Sequence, residues 1–475
     1  MNHIKRIVTN TITLGISEVI TKLGLFFIFI YLARSFDKAA FGRFNFAYAF
    51  SLIAVILIDL GINYMLIREA SRNKSKIGKY IGNSFLIKLS LSVIIFSLIY
   101  FVMSLSNYPL ETRLLVYLIS AYAFFKSFTE LLFTVFKAYE RMHYESILKI
   151  LRIVMLTSIF FTFVFLKFSI IYLAFAFTIT ELIVLFISFI IISKKFTKID
   201  FTLDVNLSKV ILKKASPFTL SLVFASIYFY IDTIMLSLMR GDVEVGIYSA
   251  AYNLTLAILF IPGMYIFAIY PILSTKFDKS KKTAVLLYER SFKYLFILGV
   301  PVSMGFFILS RQIILFIYGP NYFQSVLALQ VLSGFIFIKF ISYLTGIILS
   351  SINKQKLRMY SQGTAAITNL ILNLILIPKL GFIGAGLSTL VSEAVLFFMT
   401  YFFVSKYFHK FRAFKNLTKP LIASIIMAII VYYADINAIL RIILGIFTYL
   451  FLIVMLKAFD KRDISFLKRL VPNGN

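Results

Sequence analysis

Residues 31–72 read YLARSFDKAAFGRFNFAYAFSLIAVILIDLGINYMLIREASR, and this stretch decides the fold. One apolar run ends at Ala33-Arg34, a short turn carries Phe41-Gly42, and a second run follows from about 44 to 66. Arg68-Glu69-Ala70-Ser71-Arg72 then stops it. Apolar runs of about 20 residues closed by basic clusters suit a chain that crosses a bilayer, because the side chains of the run meet hydrocarbon while Lys and Arg stay in water. The stretch reads as one complete loop of a polytopic membrane protein.

Composition extends that reading to the whole chain. Of 475 residues, 60% are hydrophobic and 15% charged, with a mean hydropathy of +0.92. No water-soluble packing buries that much apolar surface, so the bilayer is the solvent for most of it. The first run continues from the basic N-terminus to about Ala33 without a small-residue cleavage site and is expected to be retained. Further runs lie near 82–105, 112–136, 147–166, 170–193, 216–238, 247–270, 291–310, 325–350, 360–377, 382–405, 418–434 and 438–457. The expectation is an all-α integral membrane protein of about fourteen spans.

The net charge of +29 is distributed as short basic clusters between apolar runs, the pattern of topogenic residues and not of a nucleic-acid surface. Those clusters alternate along the chain so as to place both termini in the cytoplasm. The first outside turn, with Arg34, Lys38 and Arg43, is the exception. With no Cys, disulfides and thiolate chemistry are excluded, and with no Trp the 28 Tyr must supply the interfacial belt.

An internal repeat organises the spans. Phe41-Gly42-Arg43-Phe44-Asn45-Phe46-Ala47-Tyr48 after the first span aligns with Val245-Gly246-Ile247-Tyr248-Ser249-Ala250-Ala251-Tyr252 after the seventh. Lys167 and Glu181 recur at the same spacing as Lys379 and Glu393. Spans 1–6 thus pair with spans 7–12, and because six is even the halves share one orientation, a parallel repeat about an axis along the membrane normal. The expected lobes are 1–199 and 200–416, with 417–475 adding two spans and a basic tail.

Several pieces in this order carry a resemblance. They are the Ala-Arg exit, the Phe41-Gly42 turn, Asp59-Leu60-Gly61, the 68–72 cluster, Lys137-Ala138-Tyr139-Glu140-Arg141-Met142, Asp232-Thr233-Ile234-Met235-Leu236, Phe316-Ile317-Tyr318-Gly319-Pro320-Asn321-Tyr322 and Gly381-Phe382-Ile383-Gly384-Ala385-Gly386. In them the chain resembles the polysaccharide-transporter (Wzx-type) flippases of the multidrug/oligosaccharidyl-lipid/polysaccharide exporter superfamily. The resemblance implies a transporter in the cell membrane, not an enzyme. It would move a polyprenyl-(pyro)phosphate-linked oligosaccharide across the cytoplasmic membrane by alternating access, for cell-surface polysaccharide or glycan biosynthesis. It also implies a lipid tail held in the bilayer beside the last two spans, a monomer, and polysaccharide polymerase or glycosyltransferase partners.

Charges inside spans mark candidate sites, since each costs about 2.5 kcal/mol or more at the bilayer centre. They are Glu18, Lys22, Asp59, Lys88, Lys126, Glu130, Glu181, Asp232, Lys339 and Glu393. Thr11, Gly15, Glu18 and Lys22 form one stripe on the first span, and Ser221, Ala225, Tyr228 and Asp232 repeat its spacing on the seventh. Lys22, Lys126 and Lys339, with Arg34 at the outer end of the first span, are candidates to bind the phosphate and sugar. Against that stands neutralisation within their own helices, as for Lys126 with Glu130, or snorkelling, as for Lys88 and Lys339. Asp232 is the candidate for coupling to H+ or Na+, against a helix-to-helix hydrogen bond. Glu181 and Glu393 are expected to be structural. Pro262-Gly263 is a candidate hinge, and 194–214 and 461–469 read as basic amphipathic pieces lying on the membrane surface.

The chain has no Walker A loop, no His-Glu-x-x-His and no Gly-x-Ser-x-Gly, so neither a cofactor nor a metal is expected. Two other functions compete with the flippase. One is an ion-coupled multidrug or metabolite exporter of the same superfamily. The other is a membrane glycosyltransferase or polymerase acting on lipid-linked sugars, which the short outside loops disfavour.

Overall fold

The first span begins α1 (His3–Ser35), and the helix that follows departs from expectation at both ends. Asp37 caps α2 (Lys38–Asp59) by accepting from the Ala40 N–H at 2.7 Å, so Phe41-Gly42 lies in the first turns of a helix and not in a turn between helices. At the other end Leu60 and Gly61 take left-handed backbone, with φ of 43° and 73°, and the chain restarts as α3 (Ile62–Arg72). The apolar run near 44–66 is therefore two helices, and Asp59 is a helix end. In all, the computed structural model describes residues 3–72, 74–410 and 417–458, so the 461–469 piece falls outside them.

Four further helices complete the first six spans: α4 (Ile77–Leu105), α5 (Leu110–Ala138), α6 (Met142–Phe165) and α7 (Ile170–Lys195). After a short connection comes α8 (Val205–Arg240), then α9 (Asp242–Ile258). The helices α10 (Phe260–Lys279), α11 (Lys281–Ile308), α12 (Ser310–Tyr318), α13 (Ser325–Ser351), α14 (Gln355–Leu380), α15 (Phe382–Tyr407), α16 (Thr418–Tyr433) and α17 (Ala438–Met455) follow. Among the described residues, 13 helical stretches are long and apolar enough to cross a membrane, and Thr418–Tyr433 is a shorter apolar helix. The all-α membrane architecture read from the sequence is the one observed.

The helices divide into two compact units, Met1–Ser249 and Ala250–Asn475. Packing puts α8 with the first unit, on α2, α3 and α4, whereas the repeat divides the lobes at 199/200. The two criteria group the same helices differently. In the first unit a core of Ile62, Met65, Ile81, Leu132, Phe136 and Ile211 joins α3, α4, α5 and α8. In the second unit α16 and α17 pack on α11 through Ile297, Ala423, Met427 and Ile453, and Tyr449 donates to the Ile297 carbonyl at 2.6 Å. The helix break between Ile258 and Phe260 precedes Pro262, which has no N–H to offer the Ile258 carbonyl.

The connection from α7 to α8 is bound to α4. Lys79 donates to Asp204 at 2.8 Å, which holds the Asp204 carboxyl below the usual carboxylate range, and Asp204 caps α8 through the Leu207 N–H. Asn83 accepts from the Asp204 N–H and donates to the Thr202 carbonyl. The 194–214 segment, expected as one basic amphipathic piece, is thus the end of α7, a tied loop and the first turns of α8.

The two repeat glycines meet each other. A Cβ on Gly42 would lie 1.8 Å from the Asp242 carbonyl oxygen, and one on Gly246 would lie 2.1 Å from the Lys38 carbonyl oxygen. Backbone oxygens in helices do not yield, so Gly42→Ala is expected to cost about 1–3 kcal/mol by overpacking and to lower the thermal midpoint of the purified protein. An unchanged midpoint would mean that α2 and α9 do not approach this closely.

Candidate functional site

In α6, Glu145, Lys149 and Arg152 are spaced i, i+4, i+7, which places all three on one face. That face is turned into the unit, with 1%, 8% and 7% of each residue exposed. Glu145 is 2.8 Å from Lys149 and 3.3 Å from Lys137, in the last turn of α5. Lys149 also reaches Glu18 of α1 at 2.5 Å. One turn further along, Arg152 bonds Glu181 of α7 at 2.8 Å and comes within 4.0 Å of Glu130 of α5. Four helices, each carrying a charge that would be intolerable alone in hydrocarbon, are held together by opposite charges on their neighbours.

Beside Arg152 is a cavity of about 20 Å³, room for one water, lined by Thr21, Tyr122, Lys126, Arg152, Thr180 and Glu181. The Thr21 and Thr180 hydroxyls, Arg152 Nε and Glu181 Oε2 are buried with no hydrogen-bond partner in the protein. Lys126 stands 5.6 Å over the Tyr122 ring. Among the described residues no carboxylate lies within 4 Å of its ammonium, so it is not neutralised by Glu130 as the i, i+4 spacing suggested. Lys126 is therefore a cation outside any ion pair at the wall of a one-water cavity, and a ligand larger than water reaches it only when the surrounding helices part.

Lys339 differs. It sits on α13, the repeat counterpart of α5, yet it is 3% exposed and bonds Glu393 of α15 at 2.8 Å. Ser342 also donates to Glu393, and the Phe335 and Tyr343 rings flank the ammonium at 5.7 and 5.2 Å. Snorkelling is excluded for Lys339, and its charge is already matched. The corresponding carboxylate of the first half, Glu181, bonds Arg152 instead, and Lys126 has no carboxylate within 4 Å among the described residues.

Other sequence candidates fall elsewhere. Lys22 and Arg34 are both exposed, about 18 Å apart along α1 at 1.5 Å per residue, so they do not form one site. Lys88 does not snorkel: it is fully buried and donates to Asp59 at 2.6 Å, Asn63 at 3.1 Å, and the Ser127 carbonyl and hydroxyl at 3.0 and 2.9 Å. Asp232 is 1% exposed and accepts from the Tyr248 hydroxyl at 3.0 Å.

Sequence reasoning missed Lys149 and Arg152. Their nearness to the start of the fifth span made them look like cytoplasmic-end residues, although the Glu145, Lys149, Arg152 spacing was a signal that they share a face.

Comparison with known proteins bears on this arrangement. The family model described as Polysaccharide biosynthesis protein matches residues 7–277, and that described as MatE matches residues 217–375. The chain is 28% identical over 169 residues to Probable flippase AglR of Haloferax volcanii, covering 35% of each chain. It is 22% identical over 256 residues to Probable low-salt glycan biosynthesis flippase Agl15 of the same organism, covering 52% of this chain and 54% of that protein. The matched stretches thus span about a third and about half the length of these two relatives. In fold, the chain is similar to the lipid II flippase MurJ in an inward closed conformation, with a TM-score of 0.80 at 16% identity over 95% of this chain and 99% of that one. It is also similar to an inward-facing multidrug resistance MATE family transporter of the MOP superfamily, with a TM-score of 0.65 at 16% identity over 81% and 95%. With more than half of its length matched by the first of these families, the chain belongs to the polysaccharide biosynthesis protein family.

Proposed function

We propose that this protein is a flippase carrying a polyprenyl-(pyro)phosphate-linked oligosaccharide from the inner to the outer leaflet, for cell-surface glycan assembly. The observation that carries the reading is Lys126, a cation at a small cavity of mixed polar and apolar lining inside a membrane bundle, with no carboxylate within 4 Å among the described residues. An ammonium that no carboxylate holds in an ion pair is open to an anion, and the phosphate of a lipid-linked sugar is an anion that enters from the bilayer. Family membership and the flippase names of the relatives support the same cargo class. Transport proceeds by alternating access, with 1–199 and 200–416 as the two repeat lobes; both termini face the cytoplasm, and Asp232 with Tyr248 takes up the coupling proton or Na+.

Deleting the gene in its host and treating intact cells with a membrane-impermeant sugar-modifying reagent tests this. The lipid-linked oligosaccharide is expected to accumulate protected inside and to become exposed again on expression of the protein. Unchanged exposure, with greater toxicity of small cationic compounds, would replace the flippase with an exporter.

A further inference from the structure

The two carboxylates on Lys149 differ in kind. Glu145 lies on the same helix, is 1% exposed, and is shared with Lys137. It is a fixed counter-charge. Glu18 comes from another helix, and its side chain is 45% exposed while that of Lys149 is 10% exposed. Losing Glu18 would leave Lys149 still paired, whereas Glu18 itself would pass into a more solvated setting. The contact is therefore replaceable from the open side by any acceptor that competes for the ammonium.

A phosphate is such an acceptor. It presents the same kind of anionic oxygen as a carboxylate, with more charge and more lone pairs. The position suits it too. Glu18 is one helical turn from Thr21, whose unpartnered hydroxyl faces the cavity beside Lys126, and Lys149 is one turn from Arg152 on the cavity wall. Glu130 of α5 also lies in the field of Lys149, Arg152 and Lys126, so these cations share one electrostatic neighbourhood.

We infer that Glu18 is a resident stand-in for the cargo's phosphate. The (pyro)phosphate displaces it from Lys149, which undoes the ion pair between α1 and α6, and Glu18 returns when the cargo leaves. Lys149 becomes a cargo-binding residue and Glu18 a gate on that subsite. This rests on the flippase reading. It explains why a carboxylate sits at the mouth of a site meant for an anion: in the empty carrier Glu18 gives Lys149 a second counter-charge, since Glu145 is shared with Lys137.

The test is titration of farnesyl diphosphate, a short polyprenyl diphosphate, onto the purified full-length protein in lipid nanodiscs. Glu18→Gln, close in shape and uncharged, is expected to bind about tenfold more tightly than the unaltered protein, as when one charge-assisted competitor is removed. In the Glu18→Gln background, Lys149→Ala should erase the gain and Lys149→Arg should keep it; the second variant separates loss of the subsite from loss of the fold. Equal or weaker binding by Glu18→Gln, or a gain that survives Lys149→Ala, overturns the inference. If the unaltered protein binds, Lys126→Ala does not, and Glu18→Gln binds like the unaltered protein, the cavity reading stands while the inference falls. No binding by any of these proteins removes both.

Discussion

Lys339→Met is expected to destabilise the protein by about 3–5 kcal/mol, because it strands Glu393 in a fully buried site with Ser342 as its remaining donor from this cluster. Lys339→Met together with Glu393→Leu should recover most of that loss, since replacing both members of a buried pair by apolar groups of similar size is often neutral or stabilising. Thermal unfolding in detergent of the single and double variants gives the comparison. Transport by the double variant then separates two roles. If Lys339 serves only to match Glu393, export returns with the fold, and if it holds the cargo, the refolded double variant remains inactive. The geometry favours the first outcome, because the ammonium is occupied by a carboxylate and two rings.

Lys126→Ala should behave in the opposite way. No carboxylate is left stranded by its removal, and the lost contact is with the Tyr122 ring, so the thermal midpoint should change little. Export should fall about 10- to 100-fold, the effect of losing one charge-assisted hydrogen bond of about 1.5–3 kcal/mol to the cargo. A variant that unfolds yet, where folded, exports normally would make Lys126 a structural lysine and empty the cavity of its role.

The spans were legible because a bilayer demands long apolar runs and no other constraint produces them so often. Their interruptions were less so. The break at Asp59-Leu60-Gly61 is a matter of two left-handed residues inside an apolar stretch, and the helical placement of Phe41-Gly42 depends on the Asp37 cap and on close contact with α9. Intramembrane charges were visible one at a time, but their partners were not. Lys88 finds Asp59 and Ser127 on two other helices, and Glu181 finds Arg152 on α6, none of which follows from i, i+4 spacing. Lys149 and Arg152 were hidden by a rule that is usually sound, that basic residues at the ends of spans orient the chain. The structure puts them in the interior because Glu145, Glu18 and Glu181 are there to receive them.

The central claim is that Lys126, a lysine of the first unit with no carboxylate within 4 Å among the described residues, serves an anionic lipid cargo. The most direct measurement reconstitutes the purified protein in proteoliposomes with a fluorescent polyprenyl-diphosphate sugar and reads how fast the inner-leaflet pool becomes accessible to an external quencher. Flipping by the unaltered protein at several times the rate of empty liposomes, and its loss in Lys126→Ala, is the result predicted. Equal rates with and without the protein, or undiminished flipping by Lys126→Ala, would contradict it.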